Sequence, residues 1–151
     1  MESKELTIVI VTFKSDEKII NCLKSISNNT PVIVVENSDN KDFKTKVENI
    51  FTNVNCILVG ENKGYSTANN IGLKSVKTKY ALVLNPDTIL DKDAIKNFFN
   101  TKEQVKDFWL IGPANNQIVY FNENDSNLKE VNNLKGFAIF LNLPKFNQDY
   151  F

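Results

Sequence analysis

Arginine and histidine are both missing from this chain of 151 residues, so eighteen lysines supply all of its positive charge. Without imidazole there is no histidine acid/base or metal-ligand chemistry, and without guanidinium there is no bidentate clamp for phosphate. Charge of one sign is missing as well: eighteen Asp and Glu balance the lysines to a formal net charge of zero. That excludes a strongly basic nucleic-acid binder and an acidic disordered tail, and nucleic acid is not expected as a partner. Cysteine is scarce, and Cys22 and Cys56 form neither a metal-ligand spacing nor a disulfide framework. No apolar run approaches the ~18 residues of a membrane span, and no leader pattern opens the chain. The expectation is one soluble domain over residues 1–151, with no transmembrane segment and a cytoplasmic location that includes a peripheral position at the inner face of the membrane.

What the chain does have is β-rich apolar runs alternating with helical periodicity. Leu6 to Phe13 (LTIVIVTF) is continuous and apolar, which suits a strand covered on both faces in a parallel sheet. Ser15 is placed to cap a helix carrying Ile19, Ile20, Leu23 and Ile26, which breaks before Pro31. Val32 to Glu36 reads as a second strand, followed by a helix through Phe43, Val47, Ile50 and Phe51. The unit recurs in a strand from Asn55 to Val59, a helix carrying Ala68, Ile71, Leu73 and Val76, and a strand from Tyr80 to Leu84. A fourth helix is expected from Asp91, as its cap, to Thr101. Beyond it, Phe108 to Ile111, Ile118 to Phe121 and Phe137 to Leu141 read as added antiparallel or mixed strands. The fold class is therefore α/β, with a mostly parallel central sheet between helices on both faces and a ligand site at the carboxyl ends of the parallel strands.

The residues just after each apolar run are the ones such a site would use. They are Thr12, Phe13 and Lys14; Glu36, Asn37 and Ser38; Glu61 to Gly64; and Asn85 to Thr88. Neither GxxxxGK[ST] nor GxGxxG spacing is present, so a P-loop kinase and a Rossmann oxidoreductase have no motif support. The segments IVIVTFKSDEKIINCLKSI, VIVVENS, ENKGYSTANNIGL and YALVLNPDTIL, in that order, resemble the successive motifs of family-2 inverting glycosyltransferases of the GT-A fold. GFAIFLN and the terminal FNQDYF continue the likeness, and Asn-Pro-Asp with Asn69-Asn70-x-Gly72 is most similar to the rhamnosyltransferase-like branch.

The resemblance implies a metal-dependent, inverting transfer of sugar from a UDP- or dTDP-sugar to a glycan or lipid-linked glycan, as in polysaccharide biosynthesis. It places Asp87 in the acidic motif that holds Mn²⁺ or Mg²⁺ against the leaving diphosphate, where the first acidic position is here Asn85. Asn85 to Thr88 also read as a turn followed by a helix cap. Glu36 stands where the family carries an Asp that accepts from the pyrimidine imide, and with Asn37 it also suits a strand end. Thr12 and Phe13 resemble the pair that touches the nucleoside, although Phe13 equally suits the core. Lys63 and Gly64 would approach the diphosphate, and Asn69 stands where many members carry Arg near it.

The catalytic base is the missing part. The family places a carboxylate just beyond the stretch that FNQDYF resembles, so the base is expected beyond Phe151, with Asp149 as the nearest acid within the chain. The alternative to a transferase is a non-catalytic nucleotide-sugar binding module, or a truncated transferase without its base.

Overall fold

The computed structural model describes residues 4–105, 107–113, 128, 130–147 and 150–151. Its centre is β1 (Leu6–Thr12), with all seven residues buried. β-Branched residues dominate this run, and a strand flanked on both faces has no polar side to show. The chain continues through α1 (Asp16–Lys24), β2 (Val32–Glu36), α2 (Lys41–Ile50), β3 (Val54–Leu58), α3 (Tyr65–Lys74), β4 (Tyr80–Leu84), α4 (Ala94–Gln104), β5 (Leu110–Ile111) and β6 (Ala138–Asn142). The sheet order is β3-β2-β1-β4-β6-β5. β1 pairs in parallel with β2 and with β4, and β2 in parallel with β3. β6 lies antiparallel to β4 and to β5. The expected α/β architecture with added antiparallel strands is thus present.

Strand growth from β1 through β3 runs to one side, and the chain then crosses back to place β4 on the other side of β1. α1, α2 and α4 cover one face, packing Ile19, Phe43 and Phe98 against Leu6, Ile8, Ile10 and Leu82. α3 covers the other face with Ala68 and Leu73 against Val9, Val35 and Val83. β1 and β4 lie side by side where the strand order reverses, with α1 on one face and α3 on the other, and a crevice opens at their carboxyl ends, the topological switch point of such sheets. α3 lies closest to the sheet at Gly72, where an added Cβ would come within 2.6 Å of Val9 Cγ1 and 2.8 Å of Val35 Cγ2.

Several details differ from expectation. α4 starts at Ala94 behind Asp93, not Asp91, whose Oδ1 accepts from the Asp93 backbone N–H at 3.2 Å and makes a local turn ahead of the helix. Ser15 sits at the start of α1, but its hydroxyl donates to the Phe13 carbonyl at 3.1 Å and accepts nothing from the helix. β5 has only two residues, and the expected strand Ile118–Phe121 lies outside the described residues. No helix among the described residues is long and apolar enough to cross a membrane.

Both thiols are core groups. Burial, with the charge of Asp87 adding, pushes Cys22 up from 9.0 to about 12, and burial pushes Cys56 up to about 11. A thiolate-directed reagent at pH 8 should therefore label neither thiol in the native chain and both after denaturation; rapid native labelling would contradict this packing. Because both folded values are raised, the stability that comes from keeping the thiols neutral is complete below pH 9.0 and declines as pH climbs towards about 11 and 12.

Candidate functional site

A cleft of ≈470 Å³ opens at this switch point, with Phe13 and Ser15 after β1, Asn37 after β2, Asn62, Gly64 and Tyr65 at the start of α3, and Asn85 to Asp87 after β4 on its walls. The bends that make it are specific. Lys14 takes φ 52°, a left-handed conformation uncommon outside glycine, and turns the chain sharply out of β1. Gly64 takes φ 79° at the N-terminus of α3, where a side chain would be strained.

Asn37 organises the wall between β2 and α3. It is 3% exposed, its Nδ2 donates to Asn62 Oδ1 at 3.0 Å and to the Gly64 carbonyl at 3.3 Å, and its Oδ1 accepts from the Lys63 N–H at 3.0 Å. Backbone bonds from Val59 to the Glu36 carbonyl and from Gly60 to the Ser38 carbonyl tie the same two loops together. The Glu36 side chain turns the other way. Only 2% exposed, its carboxylate accepts from the Ser38 hydroxyl at 2.8 Å and from the N–H groups of Ser38 and Asn40 at 3.1 Å. These bonds shape the loop after β2, and Glu36 does not line the cleft.

The opposite wall joins three segments. The Asn85 N–H donates to the Phe137 carbonyl at 3.0 Å, and the Thr88 hydroxyl donates to the same oxygen at 3.2 Å. From the first turn of α3 the Tyr65 hydroxyl reaches both Asn85 Oδ1 at 3.3 Å and the Gly136 carbonyl at 3.2 Å. One proton shared between two acceptors accounts for the length of both contacts. Burial raises the Tyr65 hydroxyl above its ordinary value, with the Asn69 side chain opposing, so it stays protonated as a donor at neutral pH.

Of the residues expected from sequence, the structure brings Phe13, Asn37, Gly64, Asn85 and Asp87 to the cleft wall. Thr12 and Asn69 are buried behind it, at 1% and 0% exposure, each with a side-chain oxygen that finds no partner among the described residues. The Thr12 carbonyl contributes by accepting from the Asn37 N–H at 2.8 Å. Lys63 points to Glu61, 3.6 Å away on the rim. The lysine on the cleft wall is Lys18, from the first turn of α1, and it was not anticipated. Tyr65 was missed in the same way. Both come from first helical turns, and the signal that would have found them is that such turns, following parallel strands, border the crevice. Asp149 lies outside the described residues.

Among the described residues no cluster of three His, Cys, Asp or Glu could hold a metal alone. The cleft offers the Asp87 carboxylate and the Asn85 amide oxygen. Such a pair of oxygens fits a hard divalent cation that takes its remaining ligands from water and phosphate, as Mg²⁺ commonly does. It does not fit a closed structural site.

The model of a family described as "Glycosyl transferase family 2" matches residues 7–147. A low-salt glycan biosynthesis hexosyltransferase, Agl10 of Haloferax volcanii, is 32% identical over 113 residues, covering 72% of this chain and 36% of that protein. Among solved structures, S. aureus TarS 1-349 in complex with UDP-GlcNAc superposes with a TM-score of 0.66 at 16% identity, covering 89% of this chain and 44% of that one. The mannosyltransferase PcManGT from Pyrobaculum calidifontis, in complex with GDP-Man and Mn²⁺, gives 0.63 at 11% identity over 91% of this chain and 44% of that one. At these identities the two structures establish the shared GT-A type fold. The chain spans less than half the length of each of these three proteins.

Proposed function

This chain belongs to glycosyl transferase family 2, and from that premise we propose that it holds a nucleotide-sugar donor in the cleft and transfers the sugar, with inversion, to a hydroxyl of a glycan or lipid-linked glycan. The observation that carries the reading is the meeting of Phe13, Asn37, Gly64 and Asp87, from four separate strand-end loops, around one cleft at the switch point. The hexosyltransferase name of the H. volcanii relative and the UDP-GlcNAc bound to TarS support a sugar nucleotide as donor. We take its base to be a pyrimidine, as in UDP or dTDP.

In this reading Phe13, 37% exposed beside the cleft, packs on the base. Glu36 acts indirectly, by fixing the loop at which the base ends. The diphosphate lies against the first turn of α3, where backbone donors are free of helix partners, and near the Lys18 ammonium. Asp87 and Asn85 hold Mn²⁺ or Mg²⁺, in keeping with the Mn²⁺ present in the PcManGT structure. When bound, that cation offsets the negative charge that grows on the departing nucleoside diphosphate. Asn37 keeps the loop before α3 in place, so that Gly64 can bring backbone rather than side chain to the phosphates. The acceptor hydroxyl enters from the opposite face of the sugar and needs a carboxylate base within hydrogen-bond reach.

Calorimetry with UDP in the presence of Mn²⁺ tests this reading. Binding is expected with Mn²⁺ and should weaken at least about tenfold with a chelator, the lower scale of losing one charge-assisted contact. Lys18→Ala should weaken UDP about two- to fivefold, the range of a solvent-screened charge contact, and leave uridine unaffected. Uridine binding as tightly as UDP would show that no phosphate is held and would remove the reading.

A further inference from the structure

Tyr65 is tied to its place by contacts that do not involve the cleft. Its carbonyl accepts from Asn69 Nδ2 at 3.1 Å inside α3, and its ring stands edge-on to Phe151 with centroids 6.3 Å apart. From this fixed base the hydroxyl reaches Asn85 Oδ1 and the Gly136 carbonyl. Asn85 is therefore held from two sides, through its backbone N–H by the turn before β6 and through its side chain by α3. An amide oxygen has two lone pairs, so one can receive the tyrosine proton while the other stays available.

We propose that Tyr65 is a positioning residue for the cation site: its hydroxyl fixes the Asn85 amide so that the oxygen is preset as a ligand beside Asp87. The inference rests on the proposed donor reading and deepens it. It assigns the work of a second carboxylate to an amide made rigid by a hydrogen bond. Outer groups of this kind orient metal ligands, and their loss typically lowers metal affinity by about 10- to 100-fold. The alternative, that the hydroxyl contacts the nucleotide directly, predicts a different pattern.

The variant is Tyr65→Phe, which keeps the ring and its contact with Phe151. Mn²⁺ binding to the UDP-saturated chain is followed by the electron paramagnetic resonance signal of free Mn²⁺, and UDP binding without metal by calorimetry. The Mn²⁺ dissociation constant should rise about tenfold, at the lower end of that range, while metal-free UDP affinity stays within about twofold. In an Asn85→Ala background, Tyr65→Phe should add nothing, because the group it positions is gone. Unchanged Mn²⁺ affinity in Tyr65→Phe, an equal loss in the Asn85→Ala background, or a matching loss of metal-free UDP affinity would each overturn the proposal. If the unmodified chain shows no Mn²⁺-dependent UDP binding, the donor reading itself fails, and this inference with it.

Discussion

Asp87→Ala should remove the metal dependence of UDP binding. Asp87 is the carboxylate on the cleft wall, and its partner Asn85 brings only a neutral amide oxygen. A divalent cation left with that amide and the diphosphate loses the one fixed negative charge that the described residues place on the cleft wall. The expected loss is about 10- to 150-fold in the presence of Mn²⁺, or roughly 1.5–3 kcal/mol for a contact to a charged group. Residual binding should then be the same with and without metal, as the contacts that remain, Phe13 on the base and Lys18 and α3 on the phosphates, need no cation. Asp87→Asn is the sharper variant, since it preserves shape and removes only charge. Metal-dependent affinity that survives both changes would exclude Asp87 as a ligand.

Gly72→Ala should destabilise the fold by about 1–3 kcal/mol, the usual cost of forcing extra volume into a packed core. The direction is informative because helix propensity alone favours alanine over glycine by ~0.8–1 kcal/mol. Val9 Cγ1 at 2.6 Å and Val35 Cγ2 at 2.8 Å from the new methyl outweigh that gain, since both belong to buried strand residues with little room to shift. Gly72→Leu should fail to fold. Val9→Ala removes the nearer clashing atom, so Gly72→Ala should cost less in that background than in the native chain. Chemical denaturation of the four proteins measures this directly, and equal costs in both backgrounds would show that α3 does not lie where the structure has it.

The parallel strands were legible in the sequence because their apolar, β-branched runs have no polar face, and their helices because the apolar positions recur at three and four residues. β5 was less so, since Leu110–Ile111 is too short to display a period. Asp91 and Asp93 offer the same capping chemistry two residues apart, and only the turn geometry separates them.

The site divides along a similar line. Phe13, Asn37, Gly64 and Asp87 lie in the loops that follow the strand ends, so finding the strands found them. Thr12 and Glu36 are register partners and share the parity of Ile10 and Val34, whose side chains face the core under α1 and α2. Alternation along the strand sends them to that side and away from the cleft. Asn69 lies more than a turn inside α3, beyond the helix end that meets the crevice. Lys18 and Tyr65 escaped notice for the opposite reason. On a helical pattern they read as ordinary surface, and only the packing of α1 and α3 on opposite faces of the sheet turns them towards one another's strand ends.

In the proposed donor complex the cleft at the ends of β1, β2 and β4 holds a cation together with a nucleoside diphosphate. Paramagnetic broadening of backbone amide signals, recorded on an isotopically labelled chain with UDP and a trace of Mn²⁺, locates such a cation directly. The strongest broadening should fall on residues 13–15, 62–66 and 85–88, should need UDP, and should disappear in Asp87→Asn. Broadening centred elsewhere, or the same pattern in Asp87→Asn, would contradict this placement of the cation.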